Sequence, residues 1–284
     1  MGKKIFKIGV TDYCNMDCIY CKERRKPENG RPMEKLFSDR ELLKFVGMAT
    51  RAGVDTIHIT GGEPLLRAGL AELLQNIREF PRVETLILST NGSLAREAGF
   101  SDLLDSVDEV HVSLDATQAF DLKEICGLEQ CMNEIFHCAW EACSAGKKTR
   151  ITCMLLENAI DHLPVLCDFG KKLDFDICFK ELVRRQYGPE VRPMPQDLAL
   201  ELLRKRYPDL KKAESEEPAV DFYVTKHLKS RIGIVHTNIE RDDMLYLSPM
   251  GVLYCGDRMR HRIDLKMKLE RGADYKDFEP YFSW

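Results

Sequence analysis

The chain lacks any apolar run long enough to cross a membrane, and its amino terminus lacks the apolar core of a signal peptide. It also lacks an excess of basic residues: the formal net charge is -4, which gives no reason to expect general nucleic-acid binding. Internal repeats and low-complexity segments are absent as well. We therefore expect a cytoplasmic globular protein whose 284 residues form one large domain, alone or with a small extension.

Cysteine, by contrast, is plentiful, with eleven residues in the chain. In a reducing compartment a buried free cysteine behaves as a small apolar residue, so we expect most of them to be packing residues. Three of them, Cys14, Cys18 and Cys21, differ because they share one short loop after the first predicted strand. Cys255 also stands apart, on an alternating segment near the carboxyl terminus.

The spacing Cys-x3-Cys-x2-Cys allows three thiolates to converge on one metal centre. A tetrahedral structural zinc site needs a fourth Cys or His, and no neighbouring residue supplies one at a usual spacing. Three thiolates suggest instead an iron–sulfur cluster in which one iron is left open to a ligand that is not protein. The alternative is that the three are incidental in a cysteine-rich chain.

Short apolar runs alternate with helical patterns, which is typical of parallel strands covered by helices. The predicted strands are Ile5–Val10, Thr56–Thr60, Thr85–Ser89, Val110–Leu114, Thr149–Leu155 and Phe175–Phe179. The predicted helices are Glu41–Ala52, Leu65–Phe80, Leu94–Leu104, Leu128–Ala145 and Ile160–Lys172. Six such units predict an α/β fold, a partial (β/α)6 TIM-like barrel with functional residues where strands end.

The pattern changes after the sixth predicted strand. Gln196–Lys205 is typical of a helix, Lys211–Glu217 of a charged loop, and Leu245–Tyr254 alternates around a Pro-Met-Gly turn as in a β-hairpin. We therefore predict a barrel over residues 1–217. Residues 218–284 would be a small C-terminal extension that contains the hairpin, closes the barrel and contributes to the substrate site.

Polar motifs follow three more of the predicted strands: Thr60-Gly61-Gly62-Glu63-Pro64, Ser89-Thr90-Asn91-Gly92 and Ser113-Leu114-Asp115. Each has an ordinary explanation, since Gly-Gly and Asn-Gly are common in turns and proline suits a first helical turn. Because the carboxyl ends of parallel strands meet at one edge, all of these groups would surround the same barrel mouth as the cysteine loop.

The cysteine motif, with Tyr20 before the last cysteine, and the Gly61-Gly62-Glu63-Pro64 run resemble the signatures of the radical S-adenosylmethionine (SAM) superfamily. More narrowly, four segments resemble the GTP 3′,8-cyclase subgroup of that superfamily: Thr11–Cys14, Ile59–Arg67, Ser89–Gly92 and Val112–Asp115. The resemblance covers residues 5–183 well and the remainder weakly.

The resemblance implies one [4Fe–4S] cluster on Cys14, Cys18 and Cys21, with SAM bound to the open iron. The implied cofactor-binding residues are Tyr20, Gly61, Gly62, Glu63, Pro64, Ser89, Thr90, Asn91, Ser113 and Asp115. An electron from the reduced cluster would split SAM into methionine and a 5′-deoxyadenosyl radical, which abstracts hydrogen from the substrate. A small electron-transfer protein such as flavodoxin or ferredoxin would supply that electron.

The chain departs from the cyclase subgroup where that subgroup binds a second cluster. The three cysteine positions of the second cluster fall here on Asn238, Arg241 and Cys255, so two of the three thiolates are absent. We therefore expect no second cluster and an activity other than GTP cyclisation. Cys255 is then either a packing residue on a strand or a hydrogen-atom donor to a substrate radical, as in radical SAM epimerases.

Basic residues suggest the substrate class. The substrate positions of the cyclase subgroup fall on Lys7, His58 and Arg150, and further basic clusters contain Arg184 and Arg258. Guanidinium groups suit phosphate or carboxylate recognition, although a charged cluster is often only a solvated face. We expect a small anionic or nucleotide-like substrate. The alternatives are a radical SAM enzyme that modifies a peptide and, outside catalysis, an Fe–S or zinc protein with a binding role.

Overall fold

The computed structural model describes residues 4–21, 37–128, 131–171, 174–182, 191–215, 217–237, 243–255 and 261–282. Four positions of interest, Arg184, Asn238, Arg241 and Arg258, lie outside the described residues. Within those ranges no helix has both the length and the apolar character that crossing a bilayer requires.

The described chain alternates strands and helices. The strands are β1 Ile5–Gly9, β2 Thr56–Thr60, β3 Thr85–Thr90, β4 Glu109–Ser113, β5 Lys148–Met154, β6 Asp176–Lys180, β7 Lys211–Lys212, β8 Val220–Val224, β9 Ile232–Val235, β10 Met244–Leu247, β11 Val252–Cys255 and β12 His261–Asp264. The helices are α1 Asp39–Arg51, α2 Leu70–Arg78, α3 Phe100–Leu104, α4 Ala119–Cys126, α5 Met132–Ser144, α6 His162–Phe169, α7 Gln196–Arg206 and α8 Leu265–Glu270. Short 3₁₀ helices span Pro64–Leu66, Glu157–Ala159 and Tyr275–Phe282.

The described strands form one sheet in the order β12-β11-β10-β1-β2-β3-β4-β5-β6-β9-β8-β7. The first six strands are parallel and adjacent in chain order, which confirms the predicted α/β partial barrel. At one edge β10 pairs parallel to β1, and β10 and β11 form the predicted antiparallel hairpin. At the other edge β9 pairs parallel to β6. Strands from beyond residue 218 thus lie at both edges of the sheet, and the domain boundary at that residue stays a prediction.

The two faces of the sheet differ in polarity. Phe6, Ile8, Ile57 and Ile59 are fully buried in the hydrophobic core. Polar residues alternate with such apolar ones along the strands, and register places Lys7 beside His58. The alternation of β-strand side chains therefore gives an apolar outer face and a polar concave face. At the carboxyl terminus, the ring of Phe282 packs against Phe6 with 5.5 Å between centroids.

Helix boundaries differ from the predictions where the chain turns back to the barrel. The predicted helix from Leu65 to Phe80 is two helices, because Arg67 is extended and its side chain returns to the end of β1. The predicted helix from Leu94 begins only at Phe100, after Gly99 in the left-handed region at φ 62°. Helix α4 and strands β7 to β9 were not predicted, because they are short and carry little apolar periodicity.

Arg67 ties three elements together inside the protein. Its Nη1 donates to the Val10 carbonyl oxygen at 2.6 Å, and its Nη2 donates to the Phe37 carbonyl oxygen at 3.0 Å and to Asp39 Oδ1 at 2.5 Å. The arginine side chain is only 1% exposed. It therefore fixes the end of β1 against the start of α1, and it sets the position from which the cysteine loop departs.

We expect Arg67→Met to lower the free energy of unfolding by about 2–4 kcal/mol, because two buried carbonyl oxygens and the Asp39 carboxylate lose their donor. Urea unfolding measures this. Arg51→Met is the matched control, since the Arg51–Glu279 ion pair is well exposed at 65% and 55%. The control should lose no more than about 0.5 kcal/mol. Equal losses in the two variants would contradict the anchoring role.

Candidate active site

The cysteine loop rests on the turn that follows β2. Gly62 N donates to the Thr11 carbonyl oxygen at 2.7 Å, and Glu63 N donates to the Tyr13 carbonyl oxygen at 2.6 Å. The two backbones approach so closely that a Cβ on Gly62 would overlap the Tyr13 carbonyl group. Glycine is therefore required at this position by contact, because any side chain would push the cysteine loop away.

Glu63 links that turn to the end of β3. The residue is only 1% exposed, and its carboxylate accepts from Leu65 N at 3.0 Å, Thr90 Oγ1 at 2.6 Å and Asn91 N at 2.7 Å. Burial raises the pKa of Glu63 to about 6, although these three hydrogen bonds lower it. Most of its accepting capacity is thus used within the protein, and a contact to the SAM amine stays a prediction.

Asn91 joins β3 to the cysteine loop. Its side-chain amide donates to Asn15 Oδ1 at 2.9 Å and lies 3.8 Å from the sulfur of Cys14, while its Oδ1 accepts from Ser93 N at 2.9 Å. Asn15 in turn donates to Ser93 Oγ at 2.8 Å. This network orients the first cysteine. Asn15 and Ser93 were missed by the sequence reasoning, since loop asparagine and serine carry no distinctive pattern.

On the opposite side, the loop is held by β4 and α4. Tyr20 donates its hydroxyl to Asp115 Oδ2 at 2.5 Å, and Asp115 Oδ1 accepts from Met154 N at 2.7 Å. Burial raises the pKa of Asp115 to about 6. Asp17 N donates to the Cys126 carbonyl oxygen at 2.6 Å, so the end of α4 also contacts the loop. Asp115 therefore positions Tyr20 and the end of β5.

Three thiolates are the ligand set of an iron–sulfur cluster with one open iron, and the structure keeps the three cysteines near one another. Cys14 and Cys18 are partly buried and Cys21 is exposed, and Cys14 lies close enough to the other two for their charges to interact. Within the described ranges no three His, Cys, Asp or Glu residues are grouped to hold one metal ion. In a cluster each thiolate binds a different iron, so the sulfurs stand further apart. Burial raises the pKa of Cys14 to about 11, and bound iron would favour the thiolate.

The concave face below the loop is polar. His58 Nε2 lies 2.7 Å from Ser89 Oγ, and the rings of His58 and His111 meet edge to face at 5.3 Å. Lys7 is the β1 neighbour of His58 in register. The structure therefore brings two of the predicted substrate residues, Lys7 and His58, onto one face of the barrel. Ser89, predicted as a SAM contact, bonds to His58 on that face, and Ser113 is exposed at the end of β4.

Both histidines of this face are neutral near pH 7. The pKa of His58 lies well below its usual value because of burial and of the positive charge on Lys7. Burial also lowers the pKa of His111 to about 4, with a further contribution from Arg150, although Glu109 opposes the shift. The fixed positive charges of this face therefore come from lysine and arginine.

Arg150, the third predicted substrate residue, has an internal partner. Its guanidinium donates to both carboxylate oxygens of Glu217, at 2.7 and 3.1 Å, and lies 5.5 Å from the Phe222 ring. Arg231 similarly binds both oxygens of Asp176, at 2.9 and 2.6 Å. Arg150 is therefore held by the segment before β8, and a direct substrate contact stays a prediction.

Cys255 is not brought to the barrel mouth. Tyr254 pairs with Tyr246, which pairs with Lys7, so these side chains share the concave face. Cys255 follows Tyr254 and lies on the opposite face of β11, against the hydrophobic core. The hairpin turn between β10 and β11 contacts Gly9, at the end of β1, through Pro249. Strand β11 begins after that turn and runs away from the barrel mouth, and Cys255 is its last residue. This placement favours the packing role, and the hydrogen-donor role stays a prediction without structural support.

We expect Gly62→Ala to bind much less iron than the wild type after anaerobic reconstitution, because the new methyl group displaces the cysteine loop. The strain also lowers the free energy of unfolding by about 1–3 kcal/mol. Iron analysis and urea unfolding measure the two effects. Gly47→Ala on α1 is the control, since its Cβ would meet two side chains and no backbone: the Phe80 ring at 3.3 Å and Arg51 Nη1 at 3.5 Å. Full iron content in Gly62→Ala would refute the role of this contact.

The lowered pKa of His111 predicts a pH dependence of stability. Between about pH 6.5 and 4 the unfolded chain binds a proton on this imidazole that the folded protein excludes, so stability is full above that range and falls through it. Over the whole of that range the free energy of unfolding falls by about 3 kcal/mol on account of His111. Urea unfolding of His111→Gln at pH 7 and pH 5 should show a correspondingly smaller loss, whereas His227→Gln, at an exposed histidine, should behave as the wild type. An unchanged loss in His111→Gln would contradict the burial argument.

Comparisons with known proteins agree with this geometry. The model of the radical SAM superfamily matches residues 8–169, more than half of the chain. The GTP 3′,8-cyclase of Clostridium perfringens (strain SM101 / Type A) is 25% identical over 281 residues, which cover 95% of this chain and 86% of that protein. The GTP 3′,8-cyclase of Campylobacter jejuni subsp. jejuni serotype O:6 is 29% identical over 228 residues, covering 78% and 70%.

Among solved structures, Streptococcus suis SuiB bound to S-adenosylmethionine has a TM-score of 0.65 at 15% sequence identity, covering 98% of this chain and 68% of SuiB. At that identity the likeness shows the fold. The family match confirms the resemblance inferred from the cysteine and glycine motifs. The chain belongs to the radical SAM superfamily and is an enzyme of that superfamily, which uses a [4Fe–4S] cluster and S-adenosylmethionine.

Proposed function

We propose that this radical SAM enzyme abstracts a hydrogen atom from a small anionic or nucleotide-like substrate held on the concave face of its barrel. The observation that carries the proposal is the polar, cation-bearing face, with Lys7 and the His58–Ser89 pair, below the loop of Cys14, Cys18 and Cys21. The reaction that follows hydrogen removal would be a rearrangement, a cyclisation or an epimerisation.

In this proposal Cys14, Cys18 and Cys21 hold the cluster, and the glycine turn with Asn91 keeps their loop in place. When bound there, the cluster would supply one electron for the reductive cleavage of SAM, and the resulting 5′-deoxyadenosyl radical would be the hydrogen-abstracting group. Glu63, Thr90 and Asp115 set the shape of the SAM pocket through the hydrogen bonds that they make to the chain. The barrel wall excludes water from the radical.

The substrate class follows from charge. Anionic oxygen groups form charge-assisted hydrogen bonds with cations such as those of this face. The neutral imidazoles can add hydrogen bonds without adding positive charge. GTP, the nucleotide in the name of the related GTP 3′,8-cyclases, is of this class. We do not propose GTP cyclisation itself, since Asn238 and Arg241 stand where that subgroup has ligands of a second cluster.

We expect anaerobic reconstitution with iron and sulfide to give a brown protein that forms 5′-deoxyadenosine from SAM and a strong reductant. Cys14→Ala, Cys18→Ala and Cys21→Ala should each lose both the colour and the cleavage. Cys143→Ala is the matched control, because that thiol lies on α5 and donates to the Asp174 carbonyl oxygen at 3.6 Å. Cleavage retained by any of the three loop variants would refute the proposed cluster ligands.

Mass spectrometry then identifies the substrate. Candidate phosphosugars, nucleotides and peptides are incubated with the reconstituted enzyme, and deuterium transfer from substrate to 5′-deoxyadenosine is followed. We expect transfer from an anionic small molecule. Transfer from peptides alone would favour the peptide-modifying alternative. A flavodoxin or ferredoxin should replace the chemical reductant in the same assay.

A further inference from the structure

Lys180 is the last residue of β6. It therefore lies at the carboxyl ends of the parallel strands, as does the cysteine loop that follows β1. It lies beside Met154 of β5 and Val235 of β9 in the sheet register. In the register Asp176 pairs with Arg150, which pairs with His111, so Asp176, Cys178 and Lys180 share the concave face with the histidines. The sequence reasoning did not predict this lysine as a site residue, because it ends an apolar run and belongs to no motif.

The ammonium group of Lys180 makes no hydrogen bond or ion pair with any other described residue. Lys180 is half-buried, and desolvation lowers the pKa of its ammonium group. That charge acts on His58, which lies on β2, and it is one of the causes of the lowered histidine pKa. The ammonium therefore faces the interior of the barrel rather than the outside.

Three other cations on this side of the sheet are paired. Arg150 binds Glu217, Arg231 binds Asp176, and Lys148 binds Glu109 at 3.0 Å. Desolvating part of an ammonium group that pairs with no other described residue costs free energy, because no ion pair or hydrogen bond offsets it. A bound anion would offset that cost.

We propose that Lys180 is the anchor for an anionic group of the substrate, a phosphate or a carboxylate, on the β6 side of the barrel mouth. This inference rests on the proposed function and deepens it, since it names the residue that selects the anion. The ammonium gives a charge-assisted hydrogen bond to an anionic oxygen in a site of low dielectric. A neutral analogue of the substrate gains nothing from that bond, so Lys180 determines specificity.

The test is anaerobic calorimetry on the enzyme reconstituted with cluster and SAM. The probes are inorganic tripolyphosphate, succinate and neutral guanosine. Lys180→Met removes the charge and keeps the length, and Lys180→Arg keeps the charge. Lys205→Met is the control, because Lys205 is an exposed lysine of α7 that pairs with Glu201 at 2.7 Å. Thermal unfolding of each variant checks that the fold is retained.

We expect the wild type to bind at least one of the two anions. Lys180→Met should weaken that binding about tenfold or more, as expected for the loss of one charged hydrogen bond, while its affinity for guanosine is unchanged. Lys180→Arg should retain most of the affinity, and Lys205→Met should bind as the wild type does. Equal affinity of wild type and Lys180→Met, or a wild type that binds neither anion, would overturn the inference.

The 5′-deoxyadenosine assay on the wild type separates the two proposals. If deoxyadenosine forms but neither anion binds, the role of Lys180 is refuted and the proposed hydrogen-abstraction chemistry stands. If no deoxyadenosine forms under reducing conditions with SAM, the proposed function fails whatever the anion binding shows.

Discussion

The close backbone contact between the cysteine loop and the Gly61-Gly62-Glu63 turn is the constraint on which the site depends. Two hydrogen bonds, from Gly62 N and Glu63 N, hold the loop at a distance that only glycine permits. Arg67 fixes the strand from which the loop leaves. Contacts within the chain therefore set the position of the loop that carries the three cysteines.

Two buried carboxylates, those of Glu63 and Asp115, join the elements that surround the cysteine loop. Burial raises the pKa of both Glu63 and Asp115 to about 6, and both carboxylates accept hydrogen bonds from other groups of the protein. Glu63 joins the glycine turn to β3, and Asp115 joins Tyr20 of the cysteine loop to β5. Both carboxylates therefore position neighbouring groups of the chain. The polar groups that could contact a substrate lie on the concave face.

The sequence predicted the βα order, the cysteine site and the strand-end motifs, because each depends on local pattern or on a resemblance carried by contiguous residues. It did not predict the Arg150–Glu217 pair, or that the Lys180 ammonium pairs with no other described residue, because both depend on which distant strands become neighbours in the sheet. It also left open the face on which Cys255 lies, which requires the register of β10 and β11. Short strands such as β7 to β9 form through pairing rather than propensity.

In the proposed site, Cys14, Cys18 and Cys21 bind three irons of the cluster and leave the fourth open for SAM. Pulsed electron paramagnetic resonance of the reduced enzyme tests it, with SAM carrying ¹⁴N or ¹⁵N at the methionine amine. Chelation predicts a nitrogen hyperfine coupling to the cluster that changes with the isotope. The absence of that coupling in a SAM-saturated, reduced sample, or a fourth ligand supplied by the protein, would contradict the account.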